Sequence, residues 1–181
     1  MSRVAKPGLE DLTAEQKRVY DEIARSAGGS VDGPFAIWLR NPRLADCANQ
    51  LRNLLRFQSK LDQRLLELVV LVVARHWSAR YEWFVHQRAA LGAGLAPAVV
   101  EAIRTRRPPE FVRADERMAY ELATELVETK RLSQPSYDRA LAALGLDQLI
   151  ELISAAGFYT MVAMTLDAFD VDTPNGSRPL D

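Results

Sequence analysis

The segment LLELVVLVVA at positions 65–74 decides the fold, because it is apolar on every side except at Glu67. Its β-branched residues are compatible with a strand, but the apolar run is longer than a typical strand and no turn residue interrupts it. A helix that is apolar all round has to be buried on all sides. We therefore predict a central buried helix around which further helices pack.

Helix signals surround this segment on both sides. A Ser or Thr followed three residues later by Glu or Gln predicts a capping box, proline favours the first turn of a helix, and glycine often ends one. The pattern predicts an all-α, single-domain bundle of about seven to nine helices over residues 1–181, with a mobile or partner-packing tail at 172–181. The starts and breaks predicted in this way are Thr13 with Gln16, a helix end near Ala27 followed by Gly28, Asn41-Pro42, Ser59 or Asp62, Pro97, and Gly145 before a final helix over about 147–169.

Composition and charge exclude several classes of function. The 181 residues contain 23 Lys and Arg against 24 Asp and Glu, so the net charge of −1 lacks the basic excess of a nucleic-acid-binding protein. Cys47 is the only cysteine, which excludes an intrachain disulfide and a CxxC motif. The N-terminus lacks the apolar segment of a signal peptide, and the apolar run at 68–74 is shorter than the roughly 20 residues of a membrane span. We expect a cytoplasmic protein that binds neither nucleic acid nor membrane.

Glu67 is the first candidate for chemistry, since an ionised carboxylate without a partner is costly to bury. It has to meet a cation or a hydrogen-bond donor, or else be protonated. One interpretation is a structural ion pair in the core or at a subunit interface. The other is a general acid or base whose pKa is raised by burial.

Glu82 and His86 form the second candidate group. They lie four residues apart on one predicted helix and share a face, where the carboxylate can orient the imidazole for proton transfer. A surface Glu–His pair without function has the same spacing. His76 is the only other histidine. Together with Glu82 and His86, it could be imagined as a metal ligand. No strong metal-binding spacing is present, however, and we predict no metal.

Nearby arginine and aromatic residues are candidates for substrate binding. Arg40 and Arg56 could hold an anionic substrate, because a guanidinium binds a carboxylate in a fork geometry. Each arginine taken alone is more typical of a protein surface. Trp83 and Tyr159 could form pocket walls, although aromatic residues on apolar helices more often belong to the core.

Many of these residues fall within one longer pattern. It comprises residues 65–77, Tyr81-Glu82-Trp83 with His86, residues 89–95 and residues 99–103, flanked by Gly33-Pro34-Phe35, Trp38-Leu39, Arg56-Phe57 and Gly157-Phe158-Tyr159-Thr160. Over roughly 31–171 the chain resembles the carboxymuconolactone decarboxylase family, most specifically at 67–95. The resemblance implies an all-helical, alkylhydroperoxidase D-like fold and a homotrimer or homohexamer.

The resemblance also bears on redox chemistry. The alkylhydroperoxidase D branch combines a Glu, two cysteines three residues apart and a His four residues further on, and it uses the thiols in peroxide reduction. Glu67 and His86 match the Glu and the His, but the cysteine positions fall on Ala79 and Glu82. Because the thiolate is the nucleophile of that chemistry, we predict that the chain is not a thiol peroxidase.

What remains resembles the decarboxylase arrangement and implies a cofactor-free lyase of aromatic-compound breakdown that acts on a small carboxylated lactone or related acid. We expect His86, oriented by Glu82, to move the proton that replaces carbon dioxide, with Glu67 as a tuning group or second acid. The residues predicted to contact the substrate are Arg40, Arg56, His76, Trp83 and Tyr159.

Two alternatives to this reaction stay open at the level of sequence. One is a different cofactor-free enzyme on the same scaffold, such as a hydrolase, an isomerase or a hydroperoxide enzyme. The other is a non-catalytic oligomeric protein in which Glu67 and His86 form structural pairs. The convergence of Glu67, Glu82 and His86 on one solvent-connected cavity would favour an enzyme.

Overall fold

The computed structural model describes residues 2–26 and 29–181, and these residues form helices and loops without any strand. This confirms the predicted all-α fold class. The predicted helix end near Ala27 and the break at Gly28 lie outside the described residues. The helices are α1 (Ala14–Ser26), α2 (Pro34–Trp38), α3 (Pro42–Asn53), α4 (Gln63–Trp77), α5 (Arg80–Gly92), α6 (Pro97–Arg104), α7 (Ala114–Thr129) and α8 (Gln134–Ala168), with a 3-10 turn at Leu9–Asp11 and a π-helical turn at Leu54–Gln58.

The first helices begin with the predicted capping chemistry. The backbone N–H of Thr13 donates to Gln16 Oε1 at 2.9 Å, and the N–H of Gln16 donates to Thr13 Oγ1 at 3.3 Å, which is the predicted capping box. Asn41 caps α3 through its side chain, and Asp62 caps α4 in the same way. These polar residues satisfy backbone donors that the first turn of a helix leaves free.

Helix α4 lies at the centre of the fold, packed against α5, α7 and α8. Every residue from Arg64 to Ala74 is buried, which confirms that the deciding segment is a helix enclosed on all sides. Its charged residues therefore need partners from other elements. The Arg64 guanidinium lies 2.6 Å from Glu116 and 2.9 Å from Asp115, and these ion pairs fasten the start of α4 to α7.

The π-helical turn at Leu54–Gln58 continues α3 and brings Arg56 against α4 and α8. Wide turns of this kind are frequent at functional sites. The loop that follows is tied to α8, because Glu151 accepts hydrogen bonds from Ser59 Oγ at 2.7 Å and from the backbone N–H of Lys60 at 3.0 Å. The position of Arg56 is thus fixed by the elements on either side of it.

Helix α8 changes direction at Gly145, whose φ of 75° and ψ of 168° are not helical. Glycine reaches a positive φ without steric cost, which accounts for the predicted break at this residue. By length and composition alone, α8 contains a stretch apolar enough to cross a membrane, but half of that stretch is buried within the fold. Such burial is typical of a core helix, and α8 does pack along α4 and α7.

The sequence predicts a mobile or partner-packing tail at 172–181, and in the structure part of this tail packs against the helices of the same chain. Leu180 is buried, and Thr173 Oγ1 donates to the carbonyl oxygen of Ser177 at 2.7 Å. The Arg104 guanidinium also approaches the carbonyl oxygen of Pro179 at 3.5 Å. Leu180 is the one leucine in this otherwise polar, proline-containing segment, and it packs the tail against the helices.

Candidate active site

A cavity of about 430 Å³ opens between α2, α3, α5 and α8. Its size suits a small molecule. Aromatic side chains and a few ionisable groups share its walls. These walls are formed by Ser26, Ser30, Asp32, Pro34, Phe35, Arg52, Arg56, Phe57, Tyr81, Glu82, Val85, His86, Phe158, Tyr159, Val162 and Leu166.

Glu67 lies behind the cavity wall and joins two of the residues that form it. Its Oε2 lies 2.7 Å from His86 Nδ1, and its Oε1 lies 3.0 Å from Arg56 Nη2. Gln63 Nε2 donates a further hydrogen bond to Oε1 at 3.3 Å. Only 1% of the Glu67 surface is exposed, so this is a buried carboxylate with both oxygens engaged.

The partners of Glu67 decide its ionisation. Burial acts to raise its pKa, but the hydrogen bond and charge of His86, together with the Arg56 guanidinium, hold the pKa below its ordinary value. Of the two interpretations of Glu67, these contacts favour the ion pair over a carboxyl group whose pKa is raised by burial, because the residue meets the cation that an ion pair requires. An ionised Glu67 accepts the Nδ1 proton of His86, which leaves Nε2 as the ring nitrogen available to a molecule in the cavity.

Glu82 is buried to the same extent but has no such partners. Its surface is also 1% exposed, and neither carboxyl oxygen has a hydrogen-bond partner among residues 2–26 and 29–181. Burial, with a smaller effect from Asp167, raises the pKa of Glu82 well above its ordinary value, which favours the neutral acid. The predicted Glu82–His86 pair is thus absent. The correction is that Glu67 orients the ring, because it reaches Nδ1 from α4.

Tyr159, on the cavity wall, completes the group of residues around Glu67. Its hydroxyl accepts a hydrogen bond from Arg56 Nη1 at 3.2 Å, and its ring stands edge-on to His86 with centroids 4.9 Å apart. Burial raises the pKa of Tyr159 to about 12, so the hydroxyl keeps its proton. Arg56, Glu67, His86 and Tyr159 form one connected set, the Glu67 network, with Glu82 on the same cavity wall.

Three residues predicted to contact the substrate lie outside this cavity. Arg40 is exposed, and its guanidinium donates to the carbonyl oxygen of Ala5 at 2.9 Å. Trp83 is fully buried in the core, and its Nε1 donates to Gln87 Oε1 at 3.0 Å. His76 lines a separate recess of about 220 Å³, since it follows Glu67 by about two and a half helical turns and faces the other side of α4.

Sequence reasoning missed Arg52 and Tyr81, which both line the cavity. Arg52 precedes Arg56 by four residues, and that spacing is the signal that could have found it. Tyr81 gives no comparable signal, because it is held by a segment distant in the chain. The Gly33 backbone, at a φ of 59°, passes so close to the ring that a Cβ there would lie 2.6 Å from Tyr81 Cε1.

The structure does not assemble the metal site that histidine spacing alone could suggest. No group of three His, Cys, Asp or Glu side chains is placed to hold a metal ion within the part of the chain that the structure describes. His76 lines its own recess, whereas Glu82 and His86 face the larger cavity. The ionisable groups of the cavity are therefore considered for proton transfer and anion binding.

Comparisons with known proteins identify the fold. No family model matches the chain, and no curated protein matches it. An uncharacterised peroxidase-related protein from Silicibacter sp. is 16% identical, with a TM-score of 0.74, over 94% of this chain and 90% of that one. A Ralstonia eutropha protein described as an alkylhydroperoxidase AhpD core, also uncharacterised and peroxidase-related, is 13% identical, with a TM-score of 0.77, over 96% and 93%. At these identities the likeness shows the fold alone, which is alkylhydroperoxidase D-like as predicted.

Proposed function

We propose that the chain is a cofactor-free, carboxymuconolactone decarboxylase-like enzyme that acts on a small carboxylated lactone or a related acid. The observation that carries this proposal is a fixed imidazole on the same cavity wall as a buried carboxyl group that has no hydrogen-bond partner among the described residues. His86 is held through Nδ1 by Glu67, while burial raises the pKa of Glu82 well above its ordinary value, which favours the protonated acid. Two titratable groups whose environments differ in this way suit acid–base catalysis.

In this proposal Glu82 supplies the proton that decarboxylation consumes. In that reaction the carbon–carbon bond to the carboxylate breaks, carbon dioxide leaves, and the bonding electron pair passes into the conjugated lactone carbonyl. A proton must then reach carbon, and the neutral Glu82 carries one. Its neutral state also avoids repelling the substrate carboxylate. Glu82 regains its proton from water after the product leaves.

His86 supports this step through its free ring nitrogen. Because Glu67 engages Nδ1, Nε2 is the ring nitrogen left for a ligand: in the neutral ring it can accept a hydrogen bond or relay a proton from water to Glu82, and in the protonated ring it donates. Arg56 lowers the pKa of Glu67 and helps to keep it ionised. Relative to the sequence-based hypothesis, the two glutamates exchange roles: Glu67 orients His86, and Glu82 is the acid.

The aromatic walls favour loss of charge from the substrate. Phe35, Phe158 and Tyr159 line the cavity and are all buried. A carboxylate among such groups is less well solvated than in water, and its conversion into carbon dioxide removes that charge. The arrangement therefore assists the direction of reaction that the proposal requires.

The peroxidase-related description of the two structural neighbours does not imply that this chain uses thiol chemistry. The two cysteine positions of the alkylhydroperoxidase D pattern are occupied by Ala79 and Glu82. Cys47 is exposed on α3 and does not line the cavity. A thiol peroxidase would lack its nucleophile at this site.

An isomerase acting on a small unsaturated acid is the second candidate. A ring nitrogen with a free lone pair and a neutral carboxyl on one wall can remove a proton from one carbon and return a proton to another. This reaction needs the same two residues but releases no carbon dioxide. Substrate panels that monitor both products distinguish the two candidates.

The assay follows loss of 4-carboxymuconolactone by wild-type protein and by the His86→Ala and Glu82→Gln variants. His76→Ala is the matched control, because it removes the other histidine from a separate recess. We expect the control to match wild type and the two site variants to be at least about 100-fold slower. Full activity in His86→Ala would contradict the site. A wild type that isomerises unsaturated acids without releasing carbon dioxide would support the second candidate, and a wild type inactive on the whole panel would support a non-catalytic role.

The homotrimer or homohexamer also remains a proposal. Apolar side chains near the cavity mouth are exposed in the single chain, including Phe57 at 64% and Val85 at 42%. Exposed apolar surface of this kind is typical of an interaction face. Light scattering that finds a monomer of 20.3 kDa would contradict the proposal.

A further inference from the structure

Arg52 is a cavity arginine whose hydrogen bonds go only to neutral groups. Its Nη1 donates to Asn49 Oδ1 at 3.3 Å, and its Nη2 donates to the carbonyl oxygen of Ser26 at 2.9 Å and to Ser26 Oγ at 3.4 Å. Its guanidinium carbon lies 5.5 Å from the centre of the Phe35 ring. No ion pair joins Arg52 to a carboxylate in the described part of the chain.

The neighbouring Arg56 shows that a partly buried guanidinium is ordinarily paired with a carboxylate. Arg56 lies on the same wall, and its Nη2 is 3.0 Å from the carboxylate of Glu67, which neutralises it. Asp32, the other acidic residue of the wall besides Glu82, is instead bound by Lys6 at 2.6 Å and by Ser30 at 2.5 Å. Arg52 is thus the cation on this wall that lacks a counter-charge.

A partly buried, unpaired guanidinium is unfavourable until an anion reaches it. Burial and the charge of Arg56 lower the pKa of Arg52, which reflects the same electrostatic penalty. A guanidinium has five N–H groups, and the three hydrogen bonds above leave at least two of them for a ligand. A carboxylate can therefore accept charge-assisted hydrogen bonds from Arg52 without displacing its contacts to Asn49 and Ser26.

We infer that Arg52 is the anchor for a carboxylate of a small ring-bearing organic acid, whose unsaturated body packs against the aromatic walls of the cavity. In a decarboxylation this anchored group is a second carboxylate, not the one that leaves as carbon dioxide. The inference rests on the proposed function only in taking this acid as the substrate. Phe35 and Tyr159 provide flat apolar surface within the same cavity. Arg56, which the sequence nominated for this role, is a positioning residue for Glu67.

The test compares benzoate with benzamide, which have the same ring and differ in charge. Affinities are measured by calorimetry at constant ionic strength for wild type, Arg52→Gln, Arg52→Lys and the exposed control Arg40→Gln. We expect wild type and control to prefer benzoate by about ten- to 100-fold, as a charge-assisted hydrogen bond provides. Arg52→Gln is expected to lose this preference while its affinity for benzamide is unchanged, and Arg52→Lys is expected to restore part of it.

Unchanged benzamide binding shows that the Arg52→Gln cavity is still folded. An Arg52→Gln protein that still prefers benzoate overturns the inference, and so does a wild type that shows no preference for the anion. His86→Ala separates this inference from the proposed function, because it should keep the preference for benzoate while losing turnover. Intact anion preference in a wild type that turns over no acid would remove the proposed function and leave Arg52 as the anchor.

Discussion

Glu67, behind the cavity wall, and Glu82, on that wall, are buried to the same 1% exposure, yet their pKa values are shifted in opposite directions. Glu67 meets His86 and Arg56, and its pKa lies below the ordinary value. Glu82 meets no hydrogen-bond donor among the described residues, and its pKa lies well above that value. Burial alone therefore does not set the charge of a carboxyl group; the partners available at the buried position decide it.

The largest effect on stability is expected from removing the charge of Glu67, the carboxylate that has partners. Glu67→Gln leaves Arg56 without its counter-charge in a partly buried position, so we expect the free energy of unfolding to fall by about 3–5 kcal/mol. Urea unfolding followed by tryptophan fluorescence measures it. Glu101→Gln is the control, because it breaks only the exposed pair with Arg104 and should lower the free energy of unfolding far less. Equal losses in the two variants would mean that the Glu67 network is not held by charge.

A pH-dependent effect, smaller than this within any one pH unit, is expected from Glu82, the carboxyl group without a hydrogen-bond partner. Glu82 has a raised pKa in the folded protein, so its contribution to stability is full below the ordinary value of 4.5 and is lost as the pH rises toward the folded value. Relative to Glu82→Gln, wild type should lose about 1.4 kcal/mol of unfolding free energy per pH unit in that window.

Urea unfolding of wild type and Glu82→Gln between about pH 5 and 8 tests this slope. The slope is more informative than the offset, because the buried amide of the variant adds a constant cost of its own. Parallel stability curves for the two proteins would show that Glu82 is ionised in the folded state. Glu67 should act in the opposite sense, since its lowered pKa adds stability above 4.5 that is lost as the pH falls.

The smallest effect is expected from Arg40, the arginine that the sequence nominated and the structure places outside the cavity. Arg40→Ala removes an exposed side chain and one hydrogen bond to the Ala5 carbonyl, so the free energy of unfolding should change by no more than about 0.5 kcal/mol. Affinity for a carboxylate should not change. A marked loss of that affinity would return Arg40 to the site at the expense of Arg52.

The fold could be predicted from the sequence because its signals are local. The segment at 65–74 is apolar beyond the length of a strand, the Thr13–Gln16 capping box lies within one turn, and the break at Gly145 needs only a residue that tolerates positive φ. The C-terminal tail was the exception. Its order depends on where Leu180 packs, and that contact is not encoded in the neighbouring residues.

The site could be predicted only in part, because its geometry depends on contacts between helices. The sequence singled out Glu67, Glu82 and His86, but the four-residue spacing of Glu82 and His86 led to the wrong pair. Spacing along one helix cannot reveal that Glu67 approaches His86 Nδ1 from another helix at 2.7 Å. The same limitation concealed which arginine carries an unpaired charge.

Infrared spectroscopy of wild type and Glu82→Gln at neutral pH tests the central claim most directly, because a protonated carboxyl group has a carbonyl band that a carboxylate lacks. The account predicts this band in wild type and its loss in Glu82→Gln. A wild type without the band, or a band that persists unchanged in Glu82→Gln, would show that Glu82 does not carry the proton and would contradict its assignment as the acid of the site.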